Sequence, residues 1–242
     1  MYAPQPSYPY HHPSLREQSY GHKVQQPSTR TTQPIVTGTS VLGIKYAGGV
    51  MIAADTLGSY GSLARFRDIT RIIPVGKHTV IGVGGDYSDF QSLERIFEDL
   101  VDSDDNLADG GDRSPQEIHS FITRVMYNRR NKFDPLWNSL VVGGYKNGES
   151  FLGFVDLLGT SFTDDTLASG YGSYIARPLL RNAYKPDLTE AEARKTLEDA
   201  MRVLFYRDAR ALNRIQIASI GAEGGIKVSE PFSLETEWRQ GE

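Results

Sequence analysis

Thr39 stands directly after Gly38 and directly before an apolar run, Val41-Leu42-Gly43-Ile44-Lys45-Tyr46. A threonine whose own backbone amine is free combines nucleophile and base in one residue. Here 38 residues precede it, so that chemistry requires the Gly38–Thr39 bond to be cut. A second apolar run, Gly49-Val50-Met51-Ile52-Ala53-Ala54, ends on Asp55. Whether Thr39 is freed, and whether an amine of suitable pKa sits beside it, separates an enzyme from an inert chain.

Other chemistries find little support. Cysteine is absent, which removes disulfides, thiolate zinc sites and cysteine nucleophiles together. His78 and His119 are isolated, and His11-His12 lies in a tail rich in Pro and Tyr, so no metal site is expected. Gly82-Val83-Gly84-Gly85-Asp86 and Gly170-Tyr171-Gly172 lack the Lys-Ser/Thr that a phosphate-binding loop requires. No cofactor is expected. A net charge of −4 argues against nucleic acid, and the basic cluster Arg124, Arg129, Arg130 and Lys132 reads as a solvated or interface helix face. No run reaches the roughly 18 apolar residues of a membrane span. Hydrophobic content of 39% with 23% charged residues is that of a globular chain long enough for one sizeable domain.

Residues 1–31 differ from the rest. They carry Tyr2, Tyr8, Tyr10 and Tyr20, five prolines and almost no aliphatic side chains, so they cannot bury enough apolar area to offset ordering entropy. They are read as disordered, and they lack the apolar core of a secretory signal.

The elements that must position Thr39 and Asp55 follow from periodicity. Strands are expected at 41–46, 50–54, 71–75, 79–83, 139–143, 151–155, 215–220 and 226–228. Pro74 marks an edge or a strand end, and Lys146-Asn147-Gly148 signals a hairpin. Phe90, Leu93, Phe97 and Leu100 form one helical stripe, with an acidic, Gly-rich loop over 102–112. Ser114-Pro115-Gln116-Glu117 and Thr189-Glu190-Ala191-Glu192 are capping boxes that open two further helices. A third helix is read over 167–183. Trp137 is expected to anchor a loop, in the core or across a subunit contact. The order of strands, two helices, strands, two helices, strands predicts two packed antiparallel sheets with helix pairs outside. It is not the βαβ alternation of a doubly wound nucleotide-binding sheet.

The segment from Gly38 to Asp55, then Gly58-Ser59-Tyr60-Gly61-Ser62, then Arg207-Asp208-Ala209-Arg210, resembles the proteasome beta subunits. Leu63-Ala64-Arg65-Phe66, Asn138 after Pro135-Leu136-Trp137, and Val203-Leu204-Phe205-Tyr206 narrow the resemblance to the members at the seventh beta position of the eukaryotic ring. The resemblance spans residues 32–238. It implies an α+β fold, the four-layer αββα sandwich of N-terminal-nucleophile hydrolases, with 1–31 as propeptide and 239–242 as a short tail. It also implies proteasome alpha and beta subunits as partners, in four stacked seven-fold rings, and a location in cytoplasm and nucleus.

The resemblance carries over position by position. Active family members are cut between glycine and threonine, and Gly38-Thr39 preserves that step. Asp55 keeps the aspartate that ends the second strand. The lysine that tunes the nucleophile is replaced by Arg71, whose guanidinium holds its proton at any ordinary pH. Tyr171 stands where a serine orients the amine. Asp208 remains, but Ala211 replaces the serine three residues later. Losing several members of one catalytic unit costs orders of magnitude in rate. The expectation is therefore a non-catalytic subunit that completes the ring, and the competing reading is a threonine endopeptidase using Thr39. Trimming upstream, between Thr31 and Thr32, is expected in place of self-cleavage. Arg65, Phe66, Arg207 and Arg210 are expected to contact neighbouring subunits.

Overall fold

In the computed structural model, residues 33–107, 112–222 and 224–238 are described. The segment 1–31 expected as a propeptide, the cut expected between Thr31 and Thr32, and the tail expected over 239–242 lie outside them. The first half of the fold holds β1 (Val36–Gly38), β2 (Val41–Tyr46), β3 (Gly49–Asp55), β4 (Gly58–Tyr60), β5 (Leu63–Phe66), β6 (Ile72–Val75) and β7 (Thr79–Asp86). Helices α1 (Tyr87–Leu107) and α2 (Pro115–Asn131) follow. Next come β8 (Asn138–Lys146), β9 (Glu149–Val155), β10 (Ser161–Thr163) and β11 (Thr166–Ala168), then α3 (Gly172–Ala183) and α4 (Glu190–Arg207). β12 (Ile215–Gly221) and β13 (Gly225–Val228) close the fold.

The strands form two antiparallel sheets. The larger runs β10-β9-β8-β7-β1-β4-β5, with β6 also paired to β7; the smaller runs β11-β2-β3-β12-β13. Alternation along β2 and β3 sends successive side chains to opposite faces. Val41, Val50, Ile52 and Ala54 meet Ile72, Val80, Val141 and Leu152 between the sheets. Leu42, Ile44, Met51 and Ala53 point the other way, onto Ala176, Leu180, Leu197 and Leu204 of α3 and α4. On the far side, Ile81, Val83, Leu140 and Val142 pack against Phe90, Leu93, Ile118 and Ile122 of α1 and α2. These apolar layers make a four-layer αββα sandwich. The central strands read as unbroken apolar runs because both of their faces are buried. Gly82 keeps the sheets close, since a Cβ there would lie 2.5 Å from a Val41 methyl carbon.

Local signals set most element ends. Both capping boxes form: the Ser114 side chain accepts from Glu117 N, and the Thr189 side chain from Glu192 N. Asn147 and Gly148 take φ of 52° and 86° between β8 and β9, the left-handed pair of a type I′ hairpin. Pro74 lies on β6, which among the described residues pairs with β7 alone, as its missing N–H requires.

Two expectations about element extent are corrected. Residues 102–107 of the segment expected as a loop instead continue α1, because once nucleated a helix adds residues cheaply, and 108–111 lie outside the described residues. The helix over 167–183 starts only at Gly172. Leu167 and Ala168 instead pair with Gly43 and Leu42 as β11, and Gly170 turns the chain at φ 57°.

Candidate functional site

Thr39 lies between β1 and β2, and Asp55 ends β3 one hairpin later. The β2–β3 pairing, Val41 opposite Ala54, brings the two close together. Arg71 precedes β6 and reaches the same place from the other sheet. Arg71 and Asp55 are almost fully buried, at 1% and 2% exposure. A guanidinium has five N–H donors, and all five are used here. Nε donates to the Val83 carbonyl at 3.2 Å. Nη1 donates to Asp55 Oδ1 at 2.5 Å and to the Asp55 carbonyl at 3.3 Å. Nη2 donates to the carbonyls of Thr39 at 2.5 Å and Ser40 at 3.1 Å. Asp55 Oδ2 accepts from Leu212 N at 2.9 Å.

Burial pushes the Asp55 carboxyl up and the Arg71 guanidinium down, and each charge pulls the other back. With its five donors matched to acceptors, the guanidinium stays charged, and it has no lone pair with which to take a proton.

The Thr39 hydroxyl donates to Asp208 Oδ2 at 2.6 Å. Asp208 caps the end of α4, and its Oδ1 accepts from Arg210 N at 2.9 Å, so the carboxylate is committed to a turn as well as to Thr39. Ala211 N donates to the Asp208 carbonyl at 3.0 Å, and its methyl side chain offers no hydroxyl. Tyr171 is half exposed beside Tyr174, with ring centroids 6.2 Å apart, and makes no side-chain cap of α3. The structure thus gathers Thr39, Asp55, Arg71 and Asp208 through direct bonds. Ala211 adjoins them through its backbone, while the Tyr171 ring faces outward.

The backbone on the amino side of Thr39 is built into the sheet. β1 pairs with β7 on one side and β4 on the other. Gly38 touches Arg71: a Cβ there would lie 2.4 Å from Nε. Glycine at this position therefore has a packing reason apart from any cleavage step. A cleft of about 310 Å³ opens beside Thr39, lined by Gly38, Gly85, Trp137, Asn138 and Arg210 among others.

Four residues around the site were given no role in it by sequence reasoning. The Ser40 hydroxyl accepts from Gly172 N at 2.8 Å, and the Ser169 hydroxyl from Val41 N at 3.0 Å. Asn138 donates to the Gly84 and Asp86 carbonyls at 3.1 and 2.8 Å. Asp86 accepts from Ile35 N at 2.8 Å through one oxygen and from Ser88 and Asp89 through the other. Burial opposes its ionisation, but these bonds hold its carboxyl below the usual range. Short polar residues at strand ends were the available signal, and it is a weak one.

The remaining candidates are dispersed. Arg65 and Phe66 are exposed on β5, with the guanidinium carbon 5.7 Å from the ring centroid. Arg207 and Arg210 are exposed at and beyond the end of α4. His119 is buried on α2 against the Phe154 carbonyl at 3.1 Å. Gly82–Asp86 belongs to β7, and the turn at Gly170 is closed by Ser40. Trp137 is partly exposed, and its loop is anchored by backbone bonds: Trp137 N donates to Asp89 at 2.8 Å and its carbonyl accepts from Asp86 N at 2.9 Å. Among the described residues, no group of His, Asp or Glu could hold a metal ion, and no helix is long and apolar enough to cross a membrane.

The proteasome subunit family model matches residues 35–220. The chain is 52% identical over 214 residues to the proteasome subunit beta type-4 of Xenopus laevis, covering 88% of each chain. It is 50% identical over 214 residues to the beta type-4 subunit of Arabidopsis thaliana, covering 88% of this chain and 87% of that one. It is also 50% identical over 216 residues to that of Dictyostelium discoideum, covering 88% and 83%. With its four-layer sandwich and its Gly38-Thr39 junction, the chain belongs to the proteasome subunit family, among the beta type-4 subunits.

Proposed function

We propose that the chain is a structural, non-catalytic beta subunit of the proteasome core particle. It assembles with other proteasome alpha and beta subunits, completes a seven-membered beta ring in a stack of four, and walls the chamber in which ubiquitin-dependent degradation takes place. The observation that carries the reading is the commitment of all five Arg71 donors to Asp55, Thr39, Ser40 and Val83. A threonine nucleophile needs a partner that accepts its proton and returns it. Arg71 can do neither, and the two helper hydroxyls are a tyrosine ring facing outward and an alanine.

Trimming at Thr31–Thr32 by neighbouring active subunits fits this reading, because it leaves β1 intact. Particles of this kind would work in cytoplasm and nucleus. Arg65, Phe66, Arg207 and Arg210, all exposed in the single chain, are proposed to meet neighbouring subunits.

The test is treatment of the assembled particle with a peptide epoxyketone, which bonds only to a threonine with a free amine. Mass spectrometry of this chain is expected to find Thr39 unlabelled and a terminus upstream of it. A labelled Thr39 would overturn the reading.

A further inference from the structure

β1 has three residues, yet it lies inside the larger sheet. Thr37 is opposite Asp86 and Gly38 opposite Gly85 on β7; Val36 is opposite Tyr60 and Thr37 opposite Ser59 on β4. The β4–β5 hairpin therefore joins the sheet by way of β1. Its base is pinned separately, where the Thr56 hydroxyl donates to the Arg67 carbonyl at 2.9 Å and Ile69 N donates to the Thr56 carbonyl at 3.0 Å. Among the described residues, its outer part shows no side-chain bond of this kind. Tyr60, Leu63 and Phe66 are all about half exposed, so the hairpin gains little from burying its own side chains. A two-stranded hairpin of this length is marginal by itself in water.

Besides the ladder to β7, three contacts among the described residues hold β1 to the body of the molecule. Ile35 N donates to Asp86, Arg71 Nη2 donates to the Thr39 and Ser40 carbonyls just after the strand, and Gly38 packs on the guanidinium. We propose that residues 33–38 act as a splint: β1 holds the outer part of the β4–β5 hairpin on the sheet, with Arg71 and Asp86 as its clasps. The uncut Gly38–Thr39 bond is then a condition for an ordered hairpin, and the segment before it is a retained working part of the fold. This goes beyond the non-catalytic reading and can fail separately from it.

Amide hydrogen exchange on the full chain tests the splint. Thr37→Pro removes a ladder donor from the middle of β1, and Val36→Gly weakens the strand more gently. With Thr37→Pro, amides of residues 59–66 should exchange at least tenfold faster while those of β12, in the other sheet, keep their rates. Val36→Gly should give a smaller acceleration with the same selectivity, and it serves as the readable variant if the proline chain does not fold. Unchanged exchange over 59–66, or equal acceleration in β12, would overturn the proposal. An epoxyketone label on Thr39 would mean that the Gly38–Thr39 bond is cut and would refute both readings, whereas unchanged exchange over 59–66 with Thr39 unlabelled would refute the splint alone.

Discussion

Gly38 and Arg71 are matched: the guanidinium Nε occupies the space in which any Cβ on residue 38 would sit, 2.4 Å away. The glycine of the Gly-Thr step and Arg71 therefore form one packing unit. It links the strand before Thr39 to Asp55 and to β7.

Arg71→Ala should destabilise the chain by about 3–5 kcal/mol, the usual cost of stranding one member of a buried ion pair. Arg71→Lys should recover only part of this, because an ammonium has three donors and cannot span Asp55 and the Thr39–Ser40 carbonyls together. Denaturant titration measures both. Arg71→Lys alone should also leave Thr39 unreactive toward an epoxyketone, since Tyr171 and Ala211 are unchanged.

Gly38→Ala should cost about 1–3 kcal/mol through overpacking against the guanidinium. For a chain of this size each kcal/mol lowers Tm by about 2–4 °C, so calorimetry resolves it. Combining Gly38→Ala with Arg71→Ala should cost less than the sum of the two, because the clash vanishes with the guanidinium.

Asp86 supplies a pH dependence of known sign. Its carboxyl is held below the ordinary value of about 3.9 in the fold. Its stabilising contribution is therefore complete above about pH 3.9, and it is lost as pH falls further through the folded value. Asp86→Asn should be less stable than the parent at pH 7, and the two stability curves should converge below about pH 3.9. Parallel curves in acid titrations would refute the role given to this carboxylate.

Ser114→Ala and Thr189→Ala each remove the side-chain oxygen of a formed capping box. Each should cost about 0.5–2 kcal/mol. They act on different helices in different layers, so their effects should add in thermal melts.

Much of the fold was legible before any coordinate. The long apolar strands, both capping boxes, the Asn147-Gly148 turn and the stripe of α1 are each written within a few neighbouring residues. The short strands β1, β4, β5, β10 and β11, of three or four residues each, were not foreseen. Val36-Thr37-Gly38 carries too few side chains to show a period, and it becomes a strand only because β4 and β7 lie on either side. The helix assigned to 167–171 failed for the same reason: pairing with β2 overrode local propensity.

At the site the division is just as clear. That Arg71 carries a guanidinium, and that Tyr171 and Ala211 offer no serine hydroxyl, are properties of residue type and could be read from the chain alone. That Arg71 turns all five donors onto β3, β7 and the link between β1 and β2, with partners 12 to 32 residues away, was decided only when the sheets packed. Hydrogen bonds of such separation depend on where the backbone returns, and that is set by the burial of the whole sandwich.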